Sequence, residues 1–444
     1  MNLKELRTAL QDRREDYSAS DAKLNRKINQ AYLDICSRRK WGWLRRDFTA
    51  DIRNSILVTG VDPAVSANSR ITVNNGERFI VIESAVAPTG KEAGWNRTIL
   101  FDSTFYKVVH TTSAGGAITL WLDREYTGPT YPNTAVTPTD YGTITFLSDE
   151  VALPLGTKTL IESVLFKGTT SYPLSLSHVS PYLMARNDKN TTGQPTSASV
   201  VEKEPIPRPR KAISDFGALT ANVGTALVQG ATYTYWYTYV DYVTGAESSL
   251  SPPSTITLSS TQGTVTFPTI TARNEFGLRI YRSVADGLTP FVITERDNSS
   301  AVSTGTDSTP DDLLGRRGPD SASSMFVSLH PAPATISSTA AGVLSTAYQL
   351  HCLYEAEATA MDNDYDRPLF DASFSPVLLD GAEYLMLTSS DEQSRAQSAR
   401  RGYEAGIQRM INQDRLNFQQ RVLIGRSGRR LRGQRTWWYG ALGT

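Results

Sequence analysis

Cysteine, histidine and unbroken apolar stretches are all scarce in this chain of 444 residues. Its two cysteines, Cys36 and Cys352, are too few and too far apart for a disulfide framework, and they fit assembly in a reducing cytosol. The four histidines, His110, His178, His330 and His351, are scattered, and none falls in a metal-ligand spacing. No run approaches the roughly 18 apolar residues that a membrane helix needs. The N-terminal stretch MNLKELRTALQDRRED is charged throughout and lacks an apolar h-region, so it does not read as a secretory signal. A soluble protein is expected, leaving a cell only by lysis or within a particle. Net charge is missing as well, since Lys+Arg and Asp+Glu both total 45. Any argument for nucleic acid therefore rests on local asymmetry.

Catalytic patterns are missing too. There is no Walker loop, no G-x-S-x-G elbow and no HExxH. Asp362-x-Asp364-x-Asp366 resembles the start of a calcium loop. However, Arg367 stands where that loop needs glycine, and Ser373 stands where it needs glutamate. An acidic turn that ends a helix is the simpler reading. No catalytic residue, cofactor or metal is expected.

What is present divides the chain into five parts. Residues 1–46 read as two helices, with Leu3, Leu6 and Leu10 on one stripe and Leu24, Ile28, Ala31, Tyr32 and Ile35 on another. Ser18 or Ser20 can cap the second, and Gly42 can supply a left-handed cap after it. Residues 47–205 alternate as short strands, among them Ile52–Val58, Arg78–Ile82, Ala117–Leu122, Gly142–Phe146 and Leu160–Phe166. His178–Asn187 reads as a short helix begun by Ser180-Pro181. Pro-rich residues 202–211 read as a linker. Residues 206–330 form a second β unit, with the aromatic strand Thr232–Val240 and further strands at Thr255–Leu258, Thr264–Phe267, Leu278–Arg282 and Phe291–Glu295. Their spacing suggests a β-sandwich. Alternation places Tyr233, Tyr235, Tyr237 and Tyr239 on one face, read as core in preference to a sugar-stacking platform.

Residues 331–424 read as helical again. One helical face carries Ala347, Leu350, Tyr354, Ala358 and Met361, and a longer helix runs from about Gly381 to Arg415. The fold class is thus α+β. Terminal helices join as one helical bundle, because each amphipathic stripe must be buried, around a strand-rich middle domain and an inserted sandwich. Residues 425–444 are a basic, aromatic tail. From Arg400 to Arg435 there are ten arginines, no lysine and two acids, Glu404 and Asp414. The tail can fold back on the body, bind nucleic acid through arginine and stacked tryptophan, or anchor a partner protein. The neutral balance of the chain favours the anchor.

Several short segments in this order resemble a known family. They are Trp41-Gly42-Trp43-Leu44-Arg45-Arg46, Leu153-Pro154 followed by the Ile161–Leu165 strand, Gly193-Gln194-Pro195, and the closing helices. Together they resemble the head-to-tail adaptor subunits of tailed, especially short-tailed, bacteriophages. Residues 212–328 resemble the fibronectin-type-III-like modules inserted in phage structural proteins, through Tyr235–Glu247, Leu278–Ser283 and Thr306-Asp307.

The resemblance implies a structural virion protein of the neck, forming a homo-oligomeric ring, commonly of twelve copies, below the portal protein. The ring prolongs the DNA channel and receives tail nozzle or fibre proteins. Portal binding falls to Arg426, Arg429, Arg430, Arg432, Arg435, Trp437, Trp438 and Tyr439. Non-specific contact with DNA in the channel falls to Arg409 and Arg415. The free subunit is expected to be a monomer. A tail nozzle or tube subunit, a carbohydrate-binding adhesive virion protein and a tail-associated hydrolase are the competing readings. The terminal helices weigh against the first of these, the core reading of the tyrosines against the second, and the missing catalytic constellation against the third.

Overall fold

A computed structural model describes the chain except residues 15–17, 61–68, 85–92, 115–116, 133–139, 177–191, 272, 274, 297–300, 303–304, 316–317, 319–323, 338–345, 363, 389–391 and 427–444; for 69, 84, 271, 294–296, 301–302, 336–337 and 416–426 the backbone alone is described. The helix expected over His178–Asn187 lies outside the described residues. The fold is α+β with strand outweighing helix, at 40% against 23%. Two compact units divide the chain. One is Met1–Arg46 with Tyr354–Thr444, and the other is Asp47–Leu353.

The first unit is built on four helices, α1 (Leu3–Arg14), α2 (Asp21–Ser37), α3 (Ser375–Leu387) and α4 (Gln393–Arg426). The apolar stripes read from the sequence are the ones buried. Leu6, Leu10, Ile28, Tyr32 and Ile35 share one core with Leu378, Ala382, Tyr403, Ile407 and Met410. Helices from both ends of the chain thus bury a common surface. Gly381 and Gly406 allow close approach, since a Cβ on Gly381 would lie 2.6 Å from the Tyr403 ring and one on Gly406 would lie 2.6 Å from Val377. Asp371 caps the short turn before α3 by accepting from Ser373 N–H at 2.8 Å, and Pro376 stands in the first turn of α3.

Three expectations fail here. The helical face assigned to Ala347–Met361 is a strand, Thr346–Ala356. Tyr348, Leu350, Cys352 and Tyr354 are buried at every second position, and this period outweighs the accidental spacing of three and four. The long helix from Gly381 to Arg415 is interrupted, with α3 ending at Leu387 and α4 starting at Gln393. Ser, Thr and Asp between them compete for backbone hydrogen bonds and favour a break. Gly42 is no left-handed cap either. It opens a 3-10 turn, Gly42–Leu44, and its N–H donates to Asp414 Oδ1 at 3.0 Å. A Cβ there would meet that oxygen at 2.8 Å.

The second unit holds the strands. An eight-stranded sheet orders Thr335–Ser337, Ser55–Thr59, Thr143–Phe146, Arg97–Phe101, Thr104–Ala114, Ala117–Leu122, Phe79–Ser84 and Ser69–Thr72. Its buried side chains include Ile56, Ile80, Ile99, Leu120 and Phe146. Met325–His330, placed at the end of the inserted module by the sequence reading, pairs instead with Ser197–Glu202 and Glu150–Ala152.

Within residues 212–315, two sheets share a core. One orders Ser254–Thr257, Thr232–Val240, Gly277–Arg282 and Phe291–Arg296, and the other orders Thr220–Val223, Gln262–Thr266 and Thr306–Asp307. Tyr233, Tyr235, Tyr237, Leu278 and Ile280 from the first face Val265 and Phe267 near the second. Tyr235 crosses the core to donate to Asp307 Oδ2 at 3.0 Å. The aromatic strand is therefore core and offers no sugar platform.

Candidate functional site

The residues singled out in the sequence fall into two groups. Arg409 and Arg415 lie exposed on α4. Arg426 is the last residue of α4, in the stretch described by backbone only. Arg429, Arg430, Arg432, Arg435, Trp437, Trp438 and Tyr439 lie outside the described residues.

The buried side of α4 is formed by Ala396, Tyr403, Gly406, Ile407 and Met410. Helical geometry puts Arg401, Arg409 and Arg415 on the opposite side, within about a third of a turn of its centre. Between Gln393 and Arg415 the exposed positions are Ser, Gln, Ala, Asn and Arg, with no acid among them. Of the two acids of this stretch, Asp414 is turned inward, while Glu404, with its side chain 43% exposed, stands beside the arginines. Glu404 meets Arg38 at 3.3 Å, and Asp414 meets Arg39 at 3.6 Å. The outward face of α4 is therefore cationic without being apolar, the character of a surface that stays in water or meets a polyanion.

The second feature of this unit escaped the sequence reading. A cleft of about 350 Å³ opens where the Trp41-Gly42-Trp43 segment meets α4 and the turn before α3. Its walls include Arg39, Lys40, Trp43, Arg45, Phe374 and Asp414. Trp41 is fully buried, and its Nε1 donates to the Ile35 carbonyl at 2.7 Å. Trp43 stacks on it with ring centres 4.2 Å apart and planes at 18°, which fixes the second indole as part of the cleft wall. The clue was in the sequence: two tryptophans set among five cations between Arg38 and Arg46, with no acid.

Charge is also unevenly divided. The unit of Met1–Arg46 and Tyr354–Thr444 has 24 Lys+Arg against 18 Asp+Glu, while Asp47–Leu353 has 21 against 27. Four of the surplus arginines belong to residues 427–444. The neutral total therefore conceals a basic helical unit.

The acidic run at 362–366 serves the fold. Asp364 pairs with Arg7 at 3.1 Å, and the carbonyls of Asp364 and Asp366 accept from Lys4 and Leu3 at the start of α1. Among the described residues, no group of three or more His, Cys, Asp or Glu is placed to hold a metal ion. Among them also, no helix is long and apolar enough to cross a membrane.

In the strand unit, one end of the two-sheet module is fixed to the strands around it. Trp95 packs on Phe276 at 5.6 Å, His110 Nδ1 lies 2.9 Å from Glu275, which also pairs with Arg273, and Ala152 N–H donates to the Thr244 carbonyl at 2.8 Å. Near this end Glu150 pairs with Lys203. Burial pushes the Glu150 carboxyl up to about 7, helped by Asp149 and opposed by Lys203. The opposite end exposes Val228 (54%), Leu288 (79%) and Leu313 (68%) on three loops. These loops are tied together by Tyr233 Oη at Val228 N, by Asp286 at Thr232 N, and by Asp311 at Ala285 N.

No protein family model matches the chain, no curated protein matches it, and no solved structure matches it.

Proposed function

We propose that this chain is a structural head-to-tail adaptor subunit of a tailed bacteriophage, without catalytic activity. The observation that supports the reading most is that helices from opposite ends of the sequence close on one core. The arginine-rich helix that leads into residues 427–444 is thereby rooted in a folded body. We read the four helices as one bundle and the two-sheet module as a fibronectin-type-III-like insertion. In this reading bundles stand side by side in a ring, commonly of twelve copies, below the portal protein. The segment from Arg426 to Tyr439 docks on the portal, with Trp437, Trp438 and Tyr439 supplying area and the arginines pairing with carboxylates. Arg409 and Arg415 lie on a face suited to transient contact with DNA in the channel. The loop end carrying Val228, Leu288 and Leu313 suits a docking role toward nozzle or fibre proteins, because exposed aliphatics grouped at one end favour burial by a partner. The protein then resides in the virion neck after assembly in the host cytoplasm, and its free form is a monomer. The test is to mix the purified chain with the portal protein of the same particle and image the product. Closed rings of the chain on portal assemblies support the reading, and a chain that stays monomeric beside intact portals overturns it.

A further inference from the structure

We propose that the seat of the two-sheet module on its supporting strands is a proton-operated latch, closed while Glu150 is neutral and loosened when Glu150 is ionised. The inference is independent of the adaptor reading.

The seat is small and separate. Ala152, Ile206, Ala246, Phe276 and Phe326 form a core of their own, apart from the core of the module and that of the eight-stranded sheet. Ala246 and Phe276 belong to the module, and the other three to the strands and segment that hold it. Opening the seat therefore exposes few apolar side chains and leaves the two larger cores intact. A backbone hydrogen bond from Ala152 N–H to the Thr244 carbonyl, 2.8 Å long, crosses it.

Glu150 is placed to act on that bond. It precedes Ala152 by two positions on the strand Glu150–Ala152, so both side chains leave the same face. Its carboxylate lines a cavity that Asp241, Thr244 and Ala246 of the module close from the other side. The cavity has a volume of about 10 Å³, near the least that admits one water, so charges in it are poorly screened.

The charges around the cavity decide the sign. Its walls carry two enclosed carboxylates, Glu150 and Asp241, and one ammonium, Lys203, while Glu204 is exposed. Lys203 pairs with Glu150. Asp241 is 1% exposed and accepts from Val243 N–H at 3.0 Å and from Thr244 Oγ1 at 2.7 Å, which shapes the loop that meets Ala152. Lys203 and Arg97 both favour its charge, although the Arg97 guanidinium is itself spent on the Phe146 and Leu147 carbonyls and on Ser148 Oγ. Asp149 opposes a charge on Glu150, and Lys107, which favours one, is exposed to water. Arg273, over the Trp95 ring, and His110 are both turned to Glu275.

One ammonium thus answers two enclosed carboxylates. A proton on Glu150 removes one of the two charges and leaves Lys203 to Asp241, and its loss restores a charge that the enclosure opposes. In keeping with this, burial pushes the Glu150 carboxyl up to about 7. When the latch opens, the group returns to water and to its ordinary value of 4.5. The closed form therefore holds the proton more tightly. It is favoured most below about pH 4.5 and loses ground as pH rises through about 7. Asp241, pushed up by burial as well, adds to the trend.

The test is hydrogen exchange of the full chain read by mass spectrometry, with each peptide's rate divided by that of the same peptide in the unfolded chain at the same pH. The peptide containing Ala152 is expected to lose protection at least about tenfold between about pH 5.5 and about pH 8. A peptide from Thr232–Val240, in the core of the module, is expected to change less than about threefold. Glu150→Gln is expected to keep most of its protection at the higher pH. Lys203→Met removes the ammonium that favours ionised Glu150, so the fall is expected to move to higher pH. A plain structural ion pair would instead leave both variants less protected at every pH. Melts followed by circular dichroism check folding. The proposal is overturned if the unaltered chain shows no fall, or if the Ala152 and Thr232–Val240 peptides lose protection together. It is equally overturned if folded Glu150→Gln falls as the unaltered chain does, or if Lys203→Met leaves the fall where it was. Should Glu150→Gln not fold, the other three comparisons decide.

Discussion

Tyr403 Oη donates a 2.7 Å hydrogen bond to Oδ2 of Asp34, joining α4 to α2 across 369 positions of sequence. The ring is buried against Ala31 and Gly381. Burial is the main reason its hydroxyl is pushed far above the usual tyrosine range, and the Asp34 carboxylate adds to it. Tyr403→Phe keeps the ring and removes the bond. Because Asp34 is partly exposed and also holds Arg38, the loss is expected to be about 1 kcal/mol. Denaturant unfolding should show this as a lower midpoint with an unchanged slope.

The glycines of the helical unit give a contrast of sign. Gly406→Ala adds a methyl 2.6 Å from Val377 Cγ2, inside the core. The gain in helix propensity, about 1 kcal/mol, is smaller than the overpacking cost of about 1–3 kcal/mol, so the melting temperature should fall. Gly402→Ala meets only the tip of the Asp380 side chain at 3.0 Å, which can move aside, so the melting temperature should rise. Val377→Ala should restore much of what Gly406→Ala loses. Equal shifts for the two alanine variants would contradict the close approach at Gly406.

In the two-sheet module, Arg282 and Asp307 are both fully buried and paired at 2.8 Å, and Asp307 also accepts from Tyr235. Arg282 reaches Asp311 at 2.7 Å as well. Arg282→Met leaves Asp307 charged and without its cation, at an expected cost of about 3–5 kcal/mol. The combination of Arg282→Met with Asp307→Leu should recover stability relative to the single variant. Limited proteolysis between residues 212 and 328 reads both effects.

Glu150 predicts a pH dependence. Its carboxyl is raised from 4.5 to about 7 by burial. A group with a raised folded value takes up a proton on folding. Its stabilising contribution is therefore complete below about pH 4.5 and is lost as pH rises through about 7. Buried Asp241, raised for the same reason, acts in the same direction. Glu150→Gln should flatten the fall in melting temperature between these limits, and parallel profiles for the two proteins would contradict the assignment.

These relationships differ in how visible they are in the sequence. The stripes of α1 and α2 were legible because each residue's burial follows from helical spacing alone. The aromatic strand was legible because alternation decides which tyrosines turn inward. Tyr348 to Tyr354 misled because Leu350 and Tyr354 also fall at helical spacing with Ala347 and Ala358, although Gln349 and His351 between the buried residues mark the strand period. The cleft was hidden because Phe374 and Asp414 join Trp43 only through packing over more than 300 residues. The tryptophans and their flanking cations marked half of it.

The proposed attachment to a portal runs through the C-terminal segment. The most direct measurement is co-sedimentation with the portal protein, followed by electron microscopy, for the full chain and for a chain ending at Leu423. Rings seated on portals are expected with the full chain, and loss of attachment with the shortened one, whose helical unit still melts cooperatively. Attachment of equal strength by both chains would contradict it.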